Sequence, residues 1–157
     1  MKRETLFLKI ALFLIGAPIA ALCLIGLPLI AMEAAGSKVA YVVYGMLAVM
    51  YASAIPFYTA LYQAFRLLML IDRNNAFSGA SVKALKVIKK CAIVISLFYV
   101  AGLPLFYVLA EVDDAPGIIV IGLIFVFGSA VIAVFAAVLQ KLLYNAIEIK
   151  SENDLTV

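Results

Sequence analysis

The chain has 157 residues, of which 68% are hydrophobic and 13% charged, and its twelve Lys/Arg and nine Asp/Glu give a formal net charge of +3. A water-soluble domain carries about 25% charged residues, so this composition excludes a folded soluble surface. The sequence has no histidine, and its two cysteines, Cys23 and Cys91, lie in apolar runs, so it predicts neither a metal site nor a disulfide.

Charged residues leave four long stretches untouched, at residues 10–32, 39–65, 91–110 and 115–140. Each is long enough for a membrane-spanning helix, which needs about 20 residues. The runs are too long for barrel strands and do not alternate, so we predict an all-α polytopic membrane protein. Its four-helix transmembrane bundle would form a single domain over residues 1–157. The expected spans are about residues 8–32, 39–70, 86–110 and 115–146, with a cytoplasmic loop at about 71–85 and a cytoplasmic tail at 147–157.

The first span follows three basic residues, Lys2, Arg3 and Lys9, as the apolar region of a secretory signal peptide would. That region of a signal peptide is about 7–15 residues long, whereas this run has 23. We therefore expect the segment to remain in the membrane as a helix. Pro18 and Pro28 lie inside it and predict kinks, which membrane bundles tolerate.

Small residues recur at every fourth position in the second and fourth spans. Such stripes let two helices approach closely in lipid, although alanine is also common throughout this sequence. We expect them to be helix-packing faces, either within the bundle or between the subunits of a homo-oligomer. The candidates are Ala48, Ala52, Ala60 and Ala64 in the second span and Ser129, Ala133 and Ala137 in the fourth.

The connection between the second and third spans begins with a turn-forming segment, residues 71–80, and Ser81 is the expected N-cap of the next helix. Lys83, Lys86 and Lys90 then share one helical face. A lysine collar beside the anionic headgroups of the cytoplasmic leaflet would explain them, at about 1 kcal/mol per charge. The alternative is a docking surface for an acidic partner, with Phe77 as its apolar anchor.

The last ten residues, 148–157, leave the membrane and turn acidic. A free end with the sequence Leu155-Thr156-Val157 could be captured by a partner as a strand or through its carboxylate. A disordered end is the alternative, because chain termini are often poorly ordered.

Basic residues are distributed unequally between the two sides of the predicted bundle. Eleven of the twelve Lys/Arg lie in the two tails and the long connection, and Lys38 alone lies on the other side. Because positive residues stay cytoplasmic, we predict that both termini and the long connection face the cytoplasm. Tyr41, Tyr44, Tyr107 and Tyr144 lie near span ends, where we expect interfacial anchoring rather than ligand stacking.

The spans offer little chemistry. Without histidine, and with no carboxylate in the middle of a span, neither an activated nucleophile nor a metal cluster can be assembled there, so we expect no enzymatic activity and no cofactor. The lack of intramembrane charge also argues against a proton-coupled transporter. The few polar side chains within the spans, such as Ser53, Ser96 and Ser129, are expected to make interhelical hydrogen bonds.

Four segments of the sequence carry a family resemblance. They are residues 60–65 (ALYQAF), 71–78 (IDRNNAFS), 81–86 (SVKALK) and 152–157 (ENDLTV). They resemble the YoaS-like group of bacterial four-span membrane proteins, which is classed as a domain of unknown function. The resemblance implies a multi-pass protein of the bacterial inner membrane and brings no catalytic residues. The family's genes often lie beside one for a small helix-turn-helix regulator of the Cro/CI class, which is an association and not a mechanism.

Three hypotheses about function follow. The first is a non-enzymatic membrane partner that holds or signals to a small cytoplasmic helix-turn-helix regulator, without binding nucleic acid itself. Such a regulator has a basic DNA-reading face, which the acidic tail could contact in place of phosphate. The second is an oligomeric pore, exporter or immunity-type protein, and a passive bilayer component is a third. The candidate partner-contact residues are Asp72, Arg73, Phe77, Lys83, Lys86, Asp154, Leu155 and Val157.

Overall fold

A computed structural model describes residues 2–36 and 38–156 of the chain. Across these ranges 91% of the residues are helical and no strand is present. The elements in chain order are α1 (Lys2–Ala21), a π-helical turn (Leu22–Gly26), α2 (Leu27–Ala34), α3 (Ala40–Asp72), α4 (Gly79–Val112) and α5 (Gly117–Thr156). The segment from α1 to α2 and the helices α3, α4 and α5 are four helices long and apolar enough to cross a membrane. The predicted fold class is therefore confirmed.

The helices pack in chain order and leave one side of the bundle open. Helix α4 packs along both α3 and α5, while α1 and α2 contact α3. In the described part of the chain, α1 and α5 do not pack along each other. The arrangement is consequently an open bundle in which a seam separates the first helix from the last.

Glycines allow α4 to lie close to both of its neighbours. A Cβ atom on Gly102 of α4 would lie 3.3 Å from the side chain of Val49 in α3. A Cβ on Gly122 of α5 would lie 2.8 Å from the Phe106 ring in α4. Helices associate in lipid mainly through such close packing, because the surrounding hydrocarbon removes the usual hydrophobic driving force.

Hydroxyl groups add hydrogen bonds between the same helices. The Ser53 and Tyr99 hydroxyls lie 3.0 Å apart across the α3–α4 contact, and Ser96 Oγ donates to the carbonyl of Val126 in α5 at 3.1 Å. The Tyr99 ring also stacks on Phe125 with ring centroids 4.9 Å apart. Ser53 and Ser96 thus make the interhelical bonds predicted for them, whereas Ser129 Oγ bonds within its own helix.

The C-terminal tail is helical rather than disordered, whereas its capture by a partner stays a prediction. Helix α5 continues through Thr156, so residues 148–156 form neither a disordered end nor an extended segment. The chain contains no glycine or proline after Gly128, and without these two residues nothing in the sequence breaks the helix. The tail therefore extends as a helical rod beyond the apolar run.

Candidate functional site

A stripe of aromatic and polar side chains on α3 binds the first span. Tyr44, Tyr51 and Tyr58 are spaced seven residues apart, which places them on one face of the helix. Their hydroxyls donate to the backbone carbonyls of Ala31, Cys23 and Gly16 at 3.4, 2.5 and 2.8 Å, respectively. Tyr44, predicted as an interfacial anchor, thus also bonds to the neighbouring helix.

The bond from Tyr51 satisfies a carbonyl that the first span cannot satisfy itself. In the π-helical turn the N–H of Leu27 donates to the carbonyl of Leu22, five residues earlier. The next bond in that pattern would run from residue 28 to Cys23, but Pro28 has no N–H to donate. An unpaired carbonyl inside a membrane costs several kcal/mol, so the Tyr51 hydroxyl stabilises the turn.

We call the end of the bundle that holds the start of α1 and the α3–α4 connection the inner end, after the orientation predicted from the sequence. There the stripe ends in a charged cluster, which we call the Asp72 clamp (Thr5, Lys9, Phe65 and Asp72). Lys9 Nζ donates to Asp72 Oδ2 at 2.7 Å, and Thr5 Oγ1 donates to Asp72 Oδ1. The Lys9 ammonium also lies 5.5 Å from the centre of the Phe65 ring. Asp72 and Phe65 continue the seven-residue spacing of the tyrosines, so the clamp fixes the start of α1 to the end of α3.

The connection after Asp72 is short and well ordered by hydrogen bonds. Asn74 adopts a left-handed backbone conformation with φ of 55°, which asparagine tolerates better than most residues. Ser78 is the N-cap of α4, and its side chain accepts from the N–H of Ser81. The prediction of Ser81 as N-cap is therefore wrong. Ser81 occupies the third helical position and is buried, because the helix starts two residues earlier at Gly79.

Above this connection lies the inner cleft, a space between α1 and α5 with α3 and α4 as its floor. Its volume is about 740 Å³. Each of the four helices contributes lining residues, for example Leu12 of α1, Leu68 of α3, Leu85 of α4 and Leu143 of α5. Phe77 lies at the inner end of the cleft. The walls are almost entirely apolar. A second space of about 330 Å³ follows farther along the same seam, beside the π-helical turn.

The predicted partner-contact residues that the structure describes differ in exposure. Arg73, Phe77, Lys83 and Lys86 are exposed. Asp72 is instead held within the chain by the clamp. In the tail Leu155 is exposed, while the side chain of Asp154 and the whole of Val157 lie outside the described residues. Whether any of these residues contacts a partner stays a prediction.

The two small-residue stripes differ in how deeply they are buried. In α3, Ala52, Ala60 and Ala64 are half-buried, Ala64 lines the inner cleft, and Ala48 is exposed. In α5, Ser129 and Ala133 are buried and Ala137 is half-buried. Contacts between subunits stay a prediction for both stripes. Within the bundle, the tightest approaches to a neighbouring helix are at Gly122 of α5 and Gly45 of α3, where an added Cβ would lie 2.8 Å from Phe106 and 2.9 Å from Leu105 of α4. The sequence interpretation did not single out either glycine for packing.

The acidic loop at the opposite end of the bundle contains no assembled metal site. Across residues 2–36 and 38–156, no group of three or more Cys, Asp or Glu side chains could hold a metal ion. Glu111 Oε1 instead accepts from the Tyr107 hydroxyl at 2.7 Å. The candidate site is therefore the inner end, where the clamp, the connection, the cleft and the α5 tail meet.

Comparison with known proteins finds a family and a close relative. The family described as "Protein of unknown function (DUF2975)" matches residues 27–157. The chain is 63% identical over 158 residues to the protein of Bacillus subtilis (strain 168) named "Uncharacterized membrane protein YoaS", with 99% of each chain covered. No solved structure matches the chain. The resemblance predicted from the four sequence segments is confirmed.

Proposed function

The chain belongs to the DUF2975 family of membrane proteins of unknown function, and from this premise we propose that it is a non-enzymatic partner of a small cytoplasmic regulator. It would be a multi-pass protein of a bacterial cell membrane, with the inner end of the bundle in the cytoplasm. The partner would be a helix-turn-helix protein, the class of regulator whose gene often neighbours those of the family.

The exposure of Phe77 supports this proposal most directly. Phe77 lies in the connection between α3 and α4, which is otherwise rich in polar residues, and 53% of its surface is exposed. Exposed Lys83 and Lys86 follow it on the first turns of α4. An aromatic side chain is typical of the anchors that contribute most to protein interfaces.

The helical tail supplies surface of the opposite charge. Glu148 and Glu152 lie on the last turns of α5, just beyond Ala146, which lines the same cleft as Phe77 of the α3–α4 connection. The basic DNA-reading face of a helix-turn-helix protein is complementary to such a surface. A tail that is already helical also loses less conformational entropy on binding than a disordered one.

Binding of the regulator encoded beside the gene to the full-length protein in nanodiscs tests the proposal. We expect Phe77→Ala to cost about 2 kcal/mol, a roughly thirtyfold weaker Kd, because the substitution removes the apolar anchor. Removal of residues 152–157 should weaken binding further and reduce its salt dependence, because the tail carries negative charge.

Phe127→Ala is the matched control. Phe127 lies in the middle of the uncharged run of α5 and has 65% of its surface exposed, so the same atoms are removed from a lipid-facing position. Wild-type affinity is expected for this variant. The proposal is wrong if the wild-type protein does not bind the regulator, or if Phe77→Ala and Phe127→Ala bind it equally well. A conductance or efflux phenotype would then favour the pore or exporter hypothesis.

A further inference from the structure

The inner cleft has the size of a ligand site and faces the bilayer. Small-molecule sites in proteins have volumes of about 300–1,000 Å³, and this one measures about 740 Å³. It opens sideways along the seam, because α1 and α5 do not pack along each other in the described ranges. A lipid molecule can therefore enter it from the membrane without crossing the protein.

The walls of the cleft exclude water as its stable occupant. An internal water needs two to four polar partners, and the side chains that line the cleft, such as Leu12, Leu68 and Leu143, offer none. Ser81 is the polar residue at its floor, and its hydroxyl lies within hydrogen-bond distance of groups in its own connection. A hydrocarbon ligand is complementary to this apolar lining.

The dimensions of the cleft favour one hydrocarbon chain over a helix. A helix in this position would extend over one leaflet of about 15 Å, which is longer than the cleft. On α5 the lining residues run from Leu139 to Ala146, a length of about 10 Å at 1.5 Å per residue. The second space begins at Ile132 on the same helix, so a longer chain has room to continue along the seam.

Basic residues lie where the headgroup of such a lipid would be. Arg73 belongs to the connection that contributes Phe77 to the end of the cleft, and it is exposed. Lys150 lies one helical turn beyond Ala146 and is also exposed. Glu4, one turn before the cleft residue Leu8, is the acid on the opposite wall. The predicted cytoplasmic side as a whole carries eleven basic and five acidic residues, a formal charge of +6.

From these observations we propose that the inner cleft binds a hydrocarbon chain of an anionic phospholipid from the adjacent leaflet, with its phosphate between Arg73 and Lys150. Each buried methylene group contributes about 0.8 kcal/mol relative to water, but a chain in the bilayer is already out of water. Selection of one lipid must therefore come from the shape of the cleft and from the charges at its mouth. The proposal does not depend on a regulator partner.

The test uses full-length protein reconstituted in vesicles of equal phosphatidylglycerol and phosphatidylcholine, then extracted in mild detergent for native mass spectrometry. Wild-type protein should retain about one phospholipid per chain, with phosphatidylglycerol favoured several-fold. Ala11→Phe and Ala146→Phe each place a ring in the cleft and should reduce retention at least tenfold. Ala17→Phe is the matched control, because Ala17 is exposed on α1 away from the cleft.

A second measurement uses the wild-type protein alone, so a variant that fails to fold cannot affect its result. Phosphatidylglycerol with a diazirine in its chain is photolysed on the extracted wild-type protein, and crosslinks should concentrate at Leu143 over the lipid-facing Phe127. The proposal is refuted if wild-type protein retains no lipid, if Ala146→Phe and Ala17→Phe retain it equally, or if a second copy of the chain is retained in its place. Equal retention of both lipids would refute the assignment of the phosphate to Arg73 and Lys150.

Discussion

Replacing Asp72 by asparagine should loosen the first span from the rest of the bundle. The carboxylate of Asp72 accepts from Thr5 and from Lys9, the latter at 2.7 Å. Asp72→Asn keeps an oxygen that accepts from Thr5 but removes the charge, which leaves the Lys9 ammonium beside the Phe65 ring without its ion-pair partner. The clamp is the charged attachment of α1 to α3, so its loss should act on α1 first.

The size of the effect follows from how deeply the pair is buried. The side chains of Lys9 and Asp72 are 25% and 19% exposed. Breaking a fully buried pair costs about 3–5 kcal/mol, whereas an exposed pair contributes about 0–1 kcal/mol. An intermediate loss of about 2 kcal/mol is therefore expected. For a chain of this length that corresponds to a fall in Tm of about 4–8 °C.

Thermal unfolding of the full chain in detergent, followed by circular dichroism, measures this loss. Asp113→Asn is the matched control, since Asp113 is exposed in the connection between α4 and α5 and should leave Tm unchanged. A double-mutant cycle with Lys9→Met should give a coupling free energy of about 1–2 kcal/mol. Hydrogen exchange should rise in residues 2–21 of Asp72→Asn before it rises in α4.

Two outcomes would refute this reasoning. A coupling energy near zero would mean that the pair contributes nothing to the attachment of α1. Unchanged stability together with lost binding of a partner would return Asp72 to the contact role that the sequence suggested for it.

Three further predictions test the packing and the orientation. Tyr51→Phe should lower the free energy of unfolding by about 1–3 kcal/mol, because the substitution leaves the free carbonyl of the π-helical turn unpaired; denaturant unfolding measures it. Gly122→Ala should cost about 1–3 kcal/mol by overpacking against the Phe106 ring, whereas Gly128→Ala, which meets open space, should be neutral or stabilising in the same assay. A single cysteine at Asp114 should react with an impermeant reagent in intact cells, and one at Asn75 should not, as the distribution of Lys/Arg requires. Labelling of the Asn75 variant from outside would reverse the orientation.

The existence of the four helices was predictable because uncharged runs of 20 or more residues have few alternatives to a membrane helix. Their ends were harder to predict. Ser78 and Ser81 are both suitable N-caps, and Gly79 between them is a poor helix former. The structure nevertheless starts α4 at Gly79, because Ser78 accepts from the N–H of Ser81, and the Ser81 side chain is buried.

The stripe on α3 is present in the sequence as a spacing of seven residues from Tyr44 to Asp72. The spacing alone predicts a shared face, but not which helix meets it or which carbonyls it binds. The π-helical turn depends on Pro28 together with a donor from another helix, which is a tertiary condition. The inner cleft was less predictable still, because it results from the absence of packing between the first helix and the last.

The polar stripe and the open seam have a common physical origin. Hydrogen bonds and the Asp72 clamp hold the first span to α3 along one line, whereas small residues let α4 fit closely against α3 and α5. A helix attached along one line does not need a second neighbour to stay in place. The opposite side of α1 is thus left to lipid, and the seam beside α5 stays open where a close-packed bundle would have closed it.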